Sequence, residues 1–225
     1  MNLEAVVASI SHEVKQPLAA ISASGAALLR FLNWTPPNLE EARSAANGII
    51  AANHSVVEVL DSIRALFGRS ETAQEPVDLN KLALGVLGTL DTEFKIHRIA
   101  VRAETTVELP IVLGHKGQLE EVLINLVRNA VEAMGSVNDD RRVLQVRTQS
   151  DADSVIVAVE DSGSGIDPEK SSTIFDAFVT TKRHGTGLGL AISRMIVERH
   201  GGQLLAFPAN PRGAIFQVVL PFRKH

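Results

Sequence analysis

From Leu3 to Phe31, mostly apolar residues recur alternately four and three places apart, at Leu3, Val7, Ile10, Val14, Pro17, Ile21, Ser24, Leu28 and Phe31. That spacing draws one stripe along a helix and is interrupted only at Pro17 and Ser24. Asn33-Trp34-Thr35-Pro36-Pro37-Asn38 ends the helix, because two prolines cannot continue it. A second stripe follows at Leu39, Ala42, Ala46, Ile49, Asn53, Val56, Leu60, Ile63 and Phe67. Two helices of about 45 Å, at 1.5 Å rise per residue, joined by so short a break fold back as an antiparallel hairpin. One hairpin leaves part of each stripe wet, and two hairpins paired as a four-helix bundle bury it. A passive coiled-coil dimerisation element accounts for the stripes equally well.

Polar residues 68–75 precede Pro76, and the pattern changes there. The expected organisation is a hairpin over 1–68, a linker over 69–75 and a second domain over 76–225. In that domain the spacing predicts helices over Val77–Leu90, with Asp78 or Asn80 as cap, over Gly117–Met134 and over Leu188–His200, stopped by Gly201-Gly202. Strands are predicted over Ala100–Ala103, Val143–Thr148, Val155–Val159, Gln203–Ala206 and Ala214–Leu220. The fold class is therefore α+β: a helical hairpin, then an α/β sandwich whose mixed sheet carries helices on one face.

Composition narrows the partners. A net charge of −4 and only 4% aromatic residues, with no Tyr, argue against nucleic acid. The absence of Cys removes disulfides and thiolate metal sites and suits a reducing compartment, so a cytoplasmic location is expected. No apolar run approaches the ~20 residues of a membrane span, so no membrane contact is expected from this segment. A membrane or sensory segment ahead of Met1 in a longer parent stays open.

Three elements in the second domain suit a nucleotide. Asn125 and Asn129 lie one helical turn apart and share a face, and an amide oxygen is a hard neutral ligand for Mg²⁺. Asp161 follows an apolar strand and precedes two glycines, so its carboxylate is placed to accept a hydrogen bond from an exocyclic amine such as adenine N6. A turn-forming Asp reads equally well from Asp-Ser-Gly alone. In His184-Gly185-Thr186-Gly187-Leu188-Gly189-Leu190-Ala191-Ile192, the glycines let backbone amides approach phosphate oxygens before a helix whose positive end faces the anion. Lys182 and Arg183 add positive charge ahead of that loop. No Gly-x-x-x-x-Gly-Lys-Ser/Thr occurs, and the glycine spacing does not match the dinucleotide fingerprint.

Asn-Leu-Val-Arg-Asn-Ala-Val-Glu-Ala from Asn125, Asp-Ser-Gly-Ser-Gly-Ile from Asp161, Phe-Asp-Ala-Phe-Val-Thr-Thr-Lys from Phe175 and Gly-Thr-Gly-Leu-Gly-Leu from Gly185 resemble the asparagine, first glycine, phenylalanine and second glycine boxes of sensor histidine kinases. Ser11-His12-Glu13-Val14-Lys15-Gln16-Pro17-Leu18 resembles their phosphoacceptor box, and the Val-Thr-Thr-Lys ending resembles the nitrogen-regulation and oxygen-sensing branch. The resemblance spans essentially the whole chain. It implies a homodimer through a histidine-phosphotransfer hairpin and a Bergerat-type catalytic domain using ATP and Mg²⁺. It also implies nucleotide contacts from Asn125, Asn129, Asp161, Gly163, Gly165, Ile166, Thr181, Lys182, Gly185, Thr186, Gly187, Leu188, Gly189 and Leu190, with Asn129 on the metal. The chain departs from many relatives at Glu132, where they carry a basic residue. Phosphate charge then falls to Mg²⁺, Lys182, Arg183 and backbone amides.

His12 sits about 200° around the helix from Ile10, away from the stripe. A lone helical histidine, such as His54, is ordinarily inert. His12 is set apart by Glu13 beside it and by Pro17 one turn later, which removes a backbone bond and bends the helix at the acceptor. A neutral imidazole can attack phosphorus while Glu13 orients the ring and accepts its proton. The resemblance adds transfer to an Asp of a response regulator receiver domain, and it gives Gln16, four residues past the histidine, a part in regulator dephosphorylation. Two other readings remain: a Bergerat-fold ATPase like gyrase or MutL, and a nucleotide-binding dimeric scaffold. Such ATPases place a water-activating Glu one turn before the metal-binding Asn, a place held here by Asn125.

Overall fold

The computed structural model describes residues 3–67, 74–135, 137, 142–167, 173–177, 179–180 and 187–222, and the side chains of 3–13, 54–55 and 58–67 lie outside that description. The chain divides into two compact units: Met1–Gly68 with Phe178–Leu188, and Arg69–Ala177 with Gly189–His225.

In the first unit, α1 (Leu3–Leu32) and α2 (Leu39–Phe67) pack on each other. Asn38 starts α2, its Oδ1 accepting the Glu41 amide at 3.2 Å, while its own amide returns to the Phe31 carbonyl at 3.0 Å. Gly48 faces Ser24 so closely that a Cβ there would lie 3.0 Å from the serine Oγ, which sets the helices close at mid-length. The predicted stripe is half-buried at Val14, Pro17, Ile21, Ser24, Leu28 and Phe31. On α2 it differs: Leu39 is 68% exposed, and Ala45, outside the stripe, is buried.

The second unit opens with β1 (Glu75–Val77), α3 (Leu79–Thr89), α4 (Asp91–Ile96), β2 (Ile99–Glu104), β3 (Val112–Gly114) and α5 (Lys116–Gly135). It continues with β4 (Arg142–Ser150), β5 (Ser154–Asp161), α6 (Gly189–Arg199), β6 (Gln203–Pro208) and β7 (Ala214–Pro221). Five strands form one sheet in the order β2-β4-β5-β7-β6, with β2 parallel to β4 and the rest antiparallel, so the sheet is mixed as predicted. Alternate residues (Leu144, Val146 and Thr148 of β4; Val155, Val157, Val159 and Asp161 of β5; Phe216, Val218 and Leu220 of β7) are buried. Against them lie α5, over β4 and β5, and α6, over β6 and β7. The opposite parity of the same strands mixes apolar residues such as Ile156, Ile215 and Val219 with polar pairs, Arg147 to Glu160 at 2.5 Å and Gln145 to Glu104 at 2.7 Å.

Three features depart from expectation. Val77 belongs to a strand, and the helix begins at Leu79, because Asp78 accepts the Lys81 amide at 3.1 Å. Asn80, the alternative cap, instead receives the Thr148 hydroxyl at 2.6 Å and donates to the Thr106 carbonyl at 2.9 Å. Glu75, assigned to the linker, pairs with Gly114 in a two-stranded β1-β3 sheet. Among the described residues, no helix is long and apolar enough to cross a membrane.

Candidate functional site

Helix α5 turns Leu119, Val122, Leu123, Leu126, Val127, Ala130, Val131 and Met134 into the core. That apolar face fixes the rotation of the helix and leaves Asn125 and Asn129 half-buried together on another side. Their amides touch: Asn129 Nδ2 donates to Asn125 Oδ1 at 3.4 Å. Asn125 Nδ2 in turn donates to Ser193 Oγ on α6 at 2.8 Å. The first residue of α6, Gly189, lies against the same amide, and a Cβ there would come 2.5 Å from Asn125 Oδ1. The third glycine of the Gly-Thr-Gly-Leu-Gly run thus makes room for an asparagine, a role the phosphate argument does not include.

Asp161 ends β5 opposite Leu144 and is 3% exposed. It is a strand residue, not a surface turn. Its Oδ1 accepts the Gly163 amide at 2.7 Å, and the Ala214 amide also donates to it. Burial pushes the carboxyl up to about 6, against the pull of those two amides, with Glu160 adding repulsion. A buried carboxylate with a strained charge balance is a ready acceptor for a donor that arrives with a ligand. Gly163 packs against α5, where a Cβ would lie 2.7 Å from the Ala133 carbonyl carbon, so only glycine permits this approach.

Gly165 follows with a left-handed backbone, then half-buried Ile166; Gly187 and buried Leu188 precede α6, whose first turn holds Gly189 and half-buried Leu190. Helix α5 is thus the common support: Gly189, the start of α6, meets it at Asn125, one turn before Asn129, and Gly163, bonded to Asp161 at the end of β5, meets it at Ala133, one turn after. Thr181, Lys182, Gly185 and Thr186 lie outside the described residues. So do the side chains of His12 and Glu13, whose backbones are in α1. Gln16 is exposed on α1.

Several residues escaped sequence reasoning. Ser193 reads as a small residue on an amphipathic helix, yet it is 2% exposed and holds Asn125. Gly213 looks like an ordinary turn in Asn-Pro-Arg-Gly, but its φ is 114° and a Cβ would collide with the Asp161 carbonyl oxygen. Arg212 Nε donates to the Ser162 carbonyl at 3.2 Å, which ties that turn to the loop after Asp161. His200, at the end of α6, accepts the His115 amide on Nε2 at 3.0 Å and bonds the Ile196 carbonyl through Nδ1 at 2.7 Å, so the start of α5 is anchored to the end of α6. Burial holds the His200 imidazole below its usual range, and His115 adds to the shift. Only the Gly213 turn carried a sequence signal, its Pro-x-Gly spacing.

A nucleotide fits these groups. Asp161 supplies a buried acceptor, the start of α6 presents backbone amides suited to an anion, and Asn129 offers a hard neutral oxygen. Mg²⁺ keeps most of its coordination as water and phosphate, so one amide ligand is in keeping with it. Fold and site together define an α/β sandwich nucleotide-binding domain.

The comparisons narrow that class. The model of the histidine kinase-, DNA gyrase B- and HSP90-like ATPase family matches residues 114–224. The sensor histidine kinase TmoS of Ectopseudomonas mendocina is 33% identical over 95% of this chain and 22% of its own length. The solved catalytic domain of histidine kinase ThkA is 32% identical, covering 67% of this chain and 96% of that one at a TM-score of 0.60. ThkA in complex with the response regulator protein TrrA is 25% identical, covering 98% of this chain and 62% of that one at a TM-score of 0.74. The chain belongs to this family and carries the catalytic ATP-binding domain of a histidine kinase. It spans less than half the length of the curated relatives it matches.

Proposed function

We propose that the chain is an ATP-dependent protein-histidine kinase, with residues 1–68 as a dimerising phosphotransfer hairpin, then a linker that ends before Glu75, and a catalytic domain from β1 onward. The observation that carries the reading is the gathering of Asp161, Gly163, Asn129 and the start of α6 in a chain whose first helix bears Ser11-His12-Glu13 and Pro17. Asp161 receives the adenine amine. Amides near Gly187 and Gly189, with Lys182 and Arg183, meet the phosphates, and Asn129 holds Mg²⁺, which neutralises phosphate charge when bound. His12 attacks the γ-phosphorus of ATP through a ring nitrogen, ADP leaves, and Glu13 takes the imidazole proton.

Phosphohistidine then passes its phosphoryl group to an Asp of a response regulator receiver domain, as the ThkA–TrrA complex suggests for a relative. Gln16, one turn beyond His12, orients water for the opposing step, hydrolysis of the regulator's aspartyl phosphate to the free carboxylate and inorganic phosphate. Water attack on ATP itself is a poorer outlet. The place of a hydrolytic base one turn before Asn129 is Asn125, whose side chain is engaged by Ser193.

The test is incubation with γ-labelled ATP and Mg²⁺. Acid-labile label is expected on the parent and absent from His12→Ala and Asn129→Ala. Steady phosphate release without labelled protein would replace this reading with a family ATPase, and nucleotide binding with neither product would leave a scaffold.

A further inference from the structure

Ser193 lies one turn into α6, and nothing in the motif reading gives it a task. Its Oγ accepts Asn125 Nδ2 at 2.8 Å, and Asn125 Oδ1 accepts Asn129 Nδ2 at 3.4 Å. The two bonds form a chain from the buried side of α6 to the amide assigned to the metal. An amide ligates Mg²⁺ through oxygen, and a free asparagine presents oxygen or nitrogen at equal cost. Tying Asn129 Nδ2 to Asn125 removes that choice. Turning the amide over would set the oxygens of Asn129 and Asn125 against each other, two acceptors with no proton between them.

We infer that Ser193 and Asn125 are positioning residues: they form a relay that orients the Asn129 amide, oxygen toward the metal. The inference rests on the proposed assignment of Mg²⁺ to Asn129. Asn125 is then a support for the ligand, not a contact of the nucleotide. Gly189 seats the relay, because a Cβ there would lie 2.5 Å from Asn125 Oδ1 and 3.1 Å from its Cγ and Nδ2. One asparagine box and one glycine box are thereby coupled through a serine hydroxyl, apart from any phosphate they share. Groups that orient a metal ligand are worth about 10–100-fold in metal affinity, and a relay ending on a long bond belongs at the low end.

The test is calorimetric titration of the whole chain with adenylyl imidodiphosphate, in Mg²⁺ and again in EDTA, beside thermal unfolding of each variant. In the parent, Mg²⁺ tightens nucleotide binding. Ser193→Ala should cut that tightening about 10-fold and leave the EDTA affinity within about 2-fold, at a nearly unchanged Tm. Ser193→Thr, which keeps the hydroxyl, should restore it. Equal losses in Mg²⁺ and EDTA, or failure of Thr to restore the Mg²⁺ increment in a folded protein, would reduce Ser193 to packing and overturn the relay. Asn129→Ala separates the two levels. If it abolishes the Mg²⁺ increment while Ser193→Ala does not, only the relay falls. If it leaves the increment intact, the metal assignment falls and the relay with it.

Discussion

Leu126 and Leu29 are the same side chain in two different situations. The first, on α5, is 0% exposed, and the second, on α1, is 64% exposed. The sandwich closes its core from two sides, sheet and helices, so each strand contributes a buried row. Among the described side chains of the hairpin's two helices, just Ala42 and Ala45 are buried. Leu18, Leu32, Leu39, Ile50 and Val57 are exposed with Leu29. Helical periodicity specifies a stripe in both regions, but a stripe becomes a core only when a second layer covers it. For the hairpin, the proposed second layer is another copy of the chain.

The largest effect expected from a single change is at the turn before β7. Gly213→Ala puts a methyl into the Asp161 carbonyl at a left-handed φ, and should cost about 4 kcal/mol or more, read by urea unfolding. A loss under about 1 kcal/mol would mean that this wall of the site yields easily, and the contrast with the hairpin would weaken. Leu126→Ala follows, at about 3–4 kcal/mol by the same measurement, since the sandwich core has no solvent route to relax into.

Asp161 predicts a smaller, pH-dependent term. Its carboxyl rises from 3.8 in the unfolded chain to about 6 in the fold, so between those values the native state holds a proton that the unfolded state releases. Stability from this group is complete below about pH 4 and is lost as pH rises through 6, by about 2–3 kcal/mol in all. The ligand-free parent should therefore lose that much more than Asp161→Asn between pH 4 and 7 in parallel denaturation series. Parallel curves would show a carboxylate that is solvated despite its position.

Smallest for the protomer is Leu29→Ser, which should change its unfolding free energy by less than about 0.5 kcal/mol. Sedimentation should nevertheless show a shift from dimer to monomer. An unaltered dimer would place the second layer elsewhere.

Much of this was legible in advance for identifiable reasons. The long helices and the β4, β5 and β7 strands announce themselves by period, because burial of one face repeats over many residues. Asn125 and Asn129 share a face by helical geometry alone. The β1 and β3 strands, three residues each, are too short to show any period, and α4 is a six-residue turn of helix with one buried residue, Phe94. Ser193 and His200 were illegible for another reason: each acts on a group far away in the chain, His200 on His115 across 85 positions and Ser193 on Asn125 across 68.

By itself the chain of residues determined two helices with a forced reversal, a sandwich after them, and a set of nucleotide-suited boxes, since all of these rest on local spacing and residue chemistry. Only the tertiary structure decided that Asp161 is buried with two amides upon it, that Gly189 is small for the sake of Asn125, and that Ser193 stands behind both asparagines. Those outcomes depend on which elements meet in space, and desolvation and steric approach act between residues that local spacing cannot bring together.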